Sequence, residues 1–508
     1  MRQHPSNPSY SKLDFTKAHQ ISGSTQDPTP SITTERNGAE GTTTRKTHKV
    51  FESAQVNVLR YEYDNLDVLD FIVTTPNCKI DVYIFRSAHS PMPTIGNDSL
   101  AVDIDGELLL VLPATERQVM RFTTGDYDDQ IHVHDPVVNP IEIYSGDGDD
   151  RIISDSPFSD IYAGAGNDDI SLTGYRGYSH VEGGEGDDEI NAAGFPHGTF
   201  YGGPGSDTIR GSTITSVILG GQGDDTLTGG GRLNIICAGP GDDRIEAGDG
   251  RNTIYTSEGF NRVKKLKATD TTYHNVRSEL AVDCTKITKE QMDAFPPGQI
   301  ASNAIHLEPK PLDLSAFIIQ GSPSFIDRAK DDFYLLNASP TGQRLLDVLR
   351  QAFITSGKPI TINELGLKAN GEFVPDDKVA AQEAYIKNGK AGTPAYGGHI
   401  WYSTRNTRSA TPSVFTLFHE LCHAYNQVTG TKLPGTSLDA DLGPGKPREQ
   451  ISNVELQAVG LPTETEPFDF DGDPNTPPTT TNPQPFSENG LRKELGWFPR
   501  RQYNPSGN

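Results

Sequence analysis

At 508 residues the chain has room for two to four domains, and a formal net charge of −24 argues against nucleic acid and anionic membrane as partners. It contains no apolar run of about 18 residues, so no membrane span is expected, and no charged-then-apolar opening segment, so no Sec-type signal peptide is expected. Cys78, Cys237, Cys284 and Cys422 are scattered without metal-ligand spacing and describe no disulfide framework.

Residues 1–48 are polar, rich in Ser, Thr, Asn and Pro, and lack apolar periodicity, which predicts disorder. Between 49 and 120, alternation such as Val56-Asn57-Val58-Leu59 and Lys79-Ile80-Asp81-Val82-Tyr83-Ile84 predicts a β-rich cap of short strands. Residues 121–257 are a repeat. Gly-rich loops place Asp at 129, 150, 168, 188, 207, 225 and 243, and a large apolar residue returns about every nine positions from Ile152 to Ile254. One inward residue and one Gly-rich turn per half coil predict a parallel β-helix or β-roll.

Residues 141–250 hold 20 Asp plus Glu against 5 Arg and no Lys, a net of −15. Stacked carboxylates repel one another unless cations neutralise them, and carboxylate and carbonyl oxygens suit Ca²⁺. The copies Gly183-Gly184-Glu185-Gly186-Asp187-Asp188, Gly202-Gly203-Pro204-Gly205-Ser206-Asp207 and Gly220-Gly221-Gln222-Gly223-Asp224-Asp225 resemble the RTX, or hemolysin-type calcium-binding, nonapeptide repeat. The resemblance implies calcium bound at Asp150, Asp168, Asp188, Asp207, Asp225 and Asp243. Only alternate turns keep the signature, so calcium is expected along one edge of the roll. Ala247-Gly248-Asp249-Gly250-Arg251-Asn252 looks like a degenerate copy on the other edge, with Asn at the Asp position.

Residues 258–314 read as a transition, with Lys264, Lys265 and Lys267 and the Pro296-Pro297-Gly298 breaker. In the last domain, 315–508, Phe325 to Asp332 and Thr341 to Leu349 read as helices. Pro359 to Asn363 reads as a strand, and His399-Ile400-Trp401-Tyr402 as the strand beside the helix that follows. That helix carries His419-Glu420-Leu421-Cys422-His423 between Pro412 and Gly430. Histidines four apart share one helical face and can grip Zn²⁺ together, and Glu420 can act as general base on an activated water. Cys422 points away from that face and reads as a packed residue.

A catalytic zinc needs a third protein ligand and an open position. Asn426 and Thr429 stand where a Gly and a third His would complete the long metzincin motif, so that class is excluded. A second helix is expected from Arg448 to Val459, and Glu455 on it is the favoured third ligand. Asp439 and Asp441 are the rivals. Gly321-Ser322-Pro323-Ser324-Phe325, Ser339-Pro340-Thr341-Gly342-Gln343-Arg344-Leu345-Leu346, the histidine segment through Asn426, and Glu455-Leu456-Gln457-Ala458-Val459-Gly460-Leu461-Pro462 resemble the NleD-like effector zinc metallopeptidases. This implies metal ligands His419, His423 and Glu455, a base at Glu420, and delivery into host cells by type III secretion.

Arg500 and Tyr503 have the Arg-Tyr spacing that the clostridial neurotoxin proteases place near the scissile carbonyl, where a donor would stabilise a developing oxyanion. Tyr396, His399 and Tyr402 are further candidates, His399 in a structural role. The chain is thus expected to be multi-domain, a parallel β-helix or β-roll followed by an α+β zincin-like metallopeptidase domain. Its expected function is that of a secreted bacterial zinc endopeptidase, an effector or toxin acting on host proteins. The alternatives are an extracellular calcium-dependent protease, or a calcium-dependent adhesion or binding protein with an inactive peptidase domain.

Overall fold

The structure, a computed structural model, describes residues 19–22, 31–37, 41–63, 66–85, 99–112, 118–135, 137, 139–275, 277–282, 303–365, 371–404, 411–439, 449–470 and 477–503. It separates into two compact units, 1–36 with 42–213 and 37–41 with 214–508. A β-solenoid of about eight turns occupies residues 120–280.

In the first unit, the strands Val56–Tyr63 and Leu66–Val73 form an antiparallel pair. Leu66–Val73 then pairs in parallel with Val119–Thr123, and Lys79–Phe85 with Gln130–Val133, so the cap strands lead directly into the first coil. Successive coils alternate between two sheets, for example Ile141–Asp147, Ser159–Ala165 and Tyr178–Glu185 in one and Arg151–Ser154, Asp169–Leu172 and Glu189–Asn191 in the other. The nine-residue apolar period supplies the core. Ile152, Ile161, Ile170, Val181, Ile190, Phe200 and Ile209 are 0% exposed, and each such side chain stabilises the fold by roughly 1.5–3 kcal/mol relative to exposure. The turns need glycine. Gly184 has φ +119°, and a Cβ there would lie 1.8 Å from the Gly164 carbonyl oxygen, so adjacent coils meet backbone to backbone.

The segment 1–48, expected to be disordered, carries strands at His19–Ser22 and Ser31–Asn37 and the start of Gly41–Glu52. The transition expected from 258 also continues the solenoid. Arg262–Leu266, Thr271–His274 and Asn303–His306 each add a parallel rung. The Gly-Asp signature fades there, but Val263 and Leu266 still point inward at 0% exposure.

The rest of the second unit is α+β. Its mixed sheet runs in the order Phe317–Gln320, Ile360–Glu364, Gly398–Tyr402, Glu372–Pro375, with only the last strand antiparallel. Helix α1 (Pro323–Ala338) is capped by Ser322 and α2 (Pro340–Ser356) by Ser339, whose hydroxyls accept the Phe325 and Gly342 N–H groups. Gly342 lies where a Cβ would come within 2.1 Å of the Leu336 carbonyl oxygen, so α1 and α2 cross closely. A short α3 (Lys378–Glu383) precedes α4 (Ser413–Thr429), which stops at Gly430 in the left-handed conformation. Val414, Phe415, Leu417, Phe418, Leu421 and Cys422 are buried on α4, so the helix is apolar around most of its girth and sits centrally. Asp332 on α1 fixes its approach by accepting from Tyr402 Oη at 3.2 Å and Ser413 Oγ at 3.1 Å.

The helix expected from Arg448 begins only at Asn453. Gln450–Ser452 is a strand antiparallel to Thr436–Leu438, and α5 is Asn453–Val459. Pairing with Ser437 holds Ile451 extended, so the apolar pattern through 451 belongs to strand and helix in turn. The last helix, α6, is Glu488–Glu494.

Candidate metal centre

Two anchors bring Glu455 to the histidine pair. Asn426 on α4 and Asn482 exchange side-chain amide hydrogen bonds at 2.8 and 2.9 Å, and Gln457 on α5 donates to Asn482 Oδ1 at 2.9 Å. Asn453, at the start of α5, donates to the Pro434 carbonyl at 2.7 Å and accepts from Ser437 Oγ at 2.6 Å. The position that excluded a longer histidine motif therefore helps to set α5 against α4.

The result is a tight triangle. His419 Nε2 and His423 Nε2 lie 3.2 Å apart, and each lies 3.3 Å from Glu455 Oε2. Donor atoms about 2.0–2.1 Å from a tetrahedral zinc stand about 3.3–3.4 Å from one another. The trio thus has the edge lengths of three corners of a zinc tetrahedron, and the donor chemistry of two imidazoles and a carboxylate fits that ion. His423 and Glu455 line a cleft of about 300 Å³ together with Gly371, Phe373, Glu420 and Tyr503 among others. Glu420 is buried, and burial raises its carboxyl above the ordinary range. A Cβ at Gly371 would lie 2.5 Å from Glu420 Oε1, so a side chain there would intrude on the base.

A residue not singled out in the sequence completes the back of the site. Glu488, at the start of α6, accepts from His419 Nδ1 at 3.1 Å, Arg492 Nε at 2.6 Å and Arg500 Nη1 at 3.0 Å. With Nδ1–H committed to Glu488, Nε2 is the nitrogen left to face Glu455 and His423, and a metal in place of its proton would find the lone pair a ligand needs. Burial alone would depress the His419 pKa, but the Glu455 and Glu488 carboxylates outweigh it and lift the imidazole to about 10. Burial would also raise Glu488, yet His419 and the two arginines hold it down at about 2. Burial likewise works against Glu455, whose pKa the two histidines nonetheless pull well below the carboxylate range. The two guanidiniums balance Glu488, so Glu455 is the carboxylate left to the imidazole pair, where a divalent cation would replace a proton as its counter-charge.

Tyr503 reaches the site and Arg500 does not. The Tyr503 hydroxyl donates to Glu455 Oε2 at 2.9 Å and lines the cleft. Arg500 turns to Glu488 and to the Tyr503 carbonyl, with its guanidinium 5.3 Å from the centre of the Tyr503 ring. Its expected place beside a scissile carbonyl is corrected: it is a brace behind the site. Asp439 is not a ligand either. Its carboxylate accepts the Tyr503 N–H at 3.0 and 3.1 Å and so fixes the tyrosine. Asp441 lies outside the described residues. Tyr402 is buried on Asp332, His399 faces Asp376 at 3.5 Å, and neither these nor Tyr396 lines the cleft.

The solenoid aspartates form ladders. Asp150 Oδ1 accepts the Asp129 N–H, Asp168 that of Asp150 and Asp188 that of Asp168, each at 2.8 Å, and Asp243 accepts that of Asp225 at 3.0 Å. The Oδ2 atoms of Asp150, Asp168, Asp188 and Asp243 are buried with no hydrogen-bond donor. Burial pushes all four carboxyls up to about 7 against the lowering effect of the N–H each accepts. A row of orphaned acceptors beside carbonyl-rich turns is what a hard cation would satisfy. A second, exposed ladder runs the opposite way, unforeseen in the sequence: Asp128, Asp149, Asn167 and Asp187 each accept the N–H one coil further on. On the other edge Asn234 donates to Asn252 Oδ1 at 2.7 Å, and Asp270 Oδ1 accepts the Asn252 N–H at 3.1 Å, so amides replace all but the last carboxylate there.

Residues 313–503 match the Peptidase M91 family, described as effector protein, and 171–195, 200–231 and 234–263 match the RTX calcium-binding nonapeptide repeat. The chain thus carries a segment that matches the effector peptidase family on the C-terminal side of segments that match RTX repeats. No curated protein and no solved structure matches it.

Proposed function

We propose that the chain is a zinc-dependent endopeptidase, secreted as an effector or toxin, that cleaves a host protein. The observation that carries the proposal is the triangle of His419, His423 and Glu455, with edges of 3.2, 3.3 and 3.3 Å, opening onto a cleft that holds Glu420. A zinc ion held by the trio would supply a Lewis acid for the peptide carbonyl and bring the pKa of water to about 7. Glu420 takes the proton of the attacking water and delivers it to the leaving amine, a shuttle that suits a carboxyl whose pKa burial has raised. Tyr503, held by Asp439 and Glu455, offers a hydroxyl to the developing oxyanion. Glu488 fixes the His419 tautomer. The Asp150, Asp168, Asp188, Asp207, Asp225 and Asp243 row would bind calcium along one edge and let the solenoid close without self-repulsion.

Glu420→Gln tests the chemistry. It should keep its zinc and lose cleavage of a peptide library by about 10²–10⁴-fold. Cleavage at the native rate would sink the assignment. Residues 1–50 fused to a reporter test type III delivery, which fails if the reporter stays in the producing cell.

A further inference from the structure

A second cluster of metal-binding side chains lies in the first unit, far along the sequence from the peptidase motif. The strands Lys79–Phe85 and Gln130–Val133 pair in parallel with Asp81 opposite His132. Alternation sends Ile80, Val82, Ile131 and Val133 into the core, at 0–1% exposure, and so puts Asp81, His132 and His134 together on the outer face. One ligand atom from each of the three lies within 4.8 Å of the others. One edge is already closed, with His134 Nε2 3.0 Å from Asp81 Oδ1. Tyr83 stacks on His134 at 4.4 Å and 11° and holds that ring flat.

The two imidazoles stand 3.5 Å apart between ring centres, tilted by 33°. Burial and the neighbouring His134 lower the His132 pKa, which favours a neutral ring with a free lone pair. Asp81 keeps its charge, because His134 and Lys79 outweigh the effect of burial and hold it at about 2. Lys79 Nζ occupies Asp81 Oδ2 at 2.9 Å and leaves Oδ1 directed at the histidines, as a partner behind a ligating carboxylate does. Two imidazoles and a carboxylate suit a divalent transition ion rather than calcium.

We propose that Asp81, His132 and His134 form a second, structural zinc-class site that clips the cap strand Lys79–Phe85 to the first solenoid coil. Asp81 and His132 are 51 positions apart in the chain, and a metal bond between them closes that loop.

The test uses tag-free, calcium-saturated full-length protein dialysed against Zn²⁺, with bound zinc counted by elemental analysis. His419→Ala/His423→Ala removes the peptidase site, and one zinc per chain should remain. Adding His132→Gln and His134→Gln should remove it. No zinc in the first variant, or one that survives the added substitutions, overturns the proposal. If the four-fold variant does not fold, the Co²⁺ absorption spectrum of His419→Ala/His423→Ala decides. Intense bands of low-coordinate, imidazole-bound cobalt support the site, and the weak spectrum of the hydrated ion overturns it.

Discussion

Glu488→Gln probes how much of the metal centre rests on a residue that does not touch the metal. The native carboxylate is 2% exposed and serves three donors, His419 Nδ1, Arg492 Nε and Arg500 Nη1. A glutamine keeps the shape but offers one acceptor oxygen. Its amide N–H₂ must then face either an arginine or the His419 N–H, donor against donor. Two guanidiniums also lose their counter-charge in a buried place. Replacing a carboxylate that orients a ligating histidine weakens metal binding by about 10–100-fold, or about 1.4–2.8 kcal/mol. The assay is zinc competition against a chromogenic chelator at saturating calcium, alongside peptidase rates with and without excess zinc. The expected result is a weaker zinc Kd, with activity largely restored when zinc is raised. A Kd within twofold of native would refute the role given to Glu488.

Three further outcomes follow from the geometry. Tyr503→Phe should lower kcat by about 10–10³-fold with a smaller change in KM, because its hydroxyl is assigned to the transition state; an unchanged kcat removes Tyr503 from the chemistry. In chelator, the folded chain holds protons on Asp150, Asp168, Asp188 and Asp243, at about 7, that an unfolded chain with ordinary carboxyls near 3.8 has released. Calcium-free stability should therefore fall as pH rises from about 4 to about 7, and a Tm that climbs over that range in chelator would contradict the buried ladder. Calcium added at neutral pH should raise the Tm, since it binds the folded row and not the unfolded chain.

Much of this was legible because it is periodic or local. Ile152 through Ile254 mark the coils by their nine-residue rhythm, and His419 and His423 share a helical turn. Glu455 was legible from the α5 segment and its resemblance. Glu488 was not, because it stands 65 positions beyond His423 on a seven-residue helix with no motif of its own. Asp81 and His132 were invisible for a similar reason: parallel strand pairing joins residues whose separation depends on everything folded between them. The last solenoid rungs lost their Gly-Asp turns, so the charge signature ended before the apolar one did. Arg500 shows the converse, where the spacing said nothing of the bonding partner and the guanidinium goes to Glu488 behind His419.

Helix α6 is held at both ends. Glu488 at its start faces His419, while Glu494 at its finish accepts from Tyr255 Oη at 2.7 Å and from the Thr341 N–H at 2.9 Å. Just beyond, Arg251 and Thr253 donate to the Gly496 and Leu495 carbonyls. Tyr255, Arg251 and Thr253 belong to a solenoid strand, not to the 313–503 segment that matches the peptidase family. A fragment trimmed to that segment would strip the far end of the rod of its seat, and a shift there reaches the imidazole it braces. The smallest autonomous form of the 313–503 fold accordingly includes the late solenoid coils, and an expression boundary drawn at residue 313 would cut through its foundations.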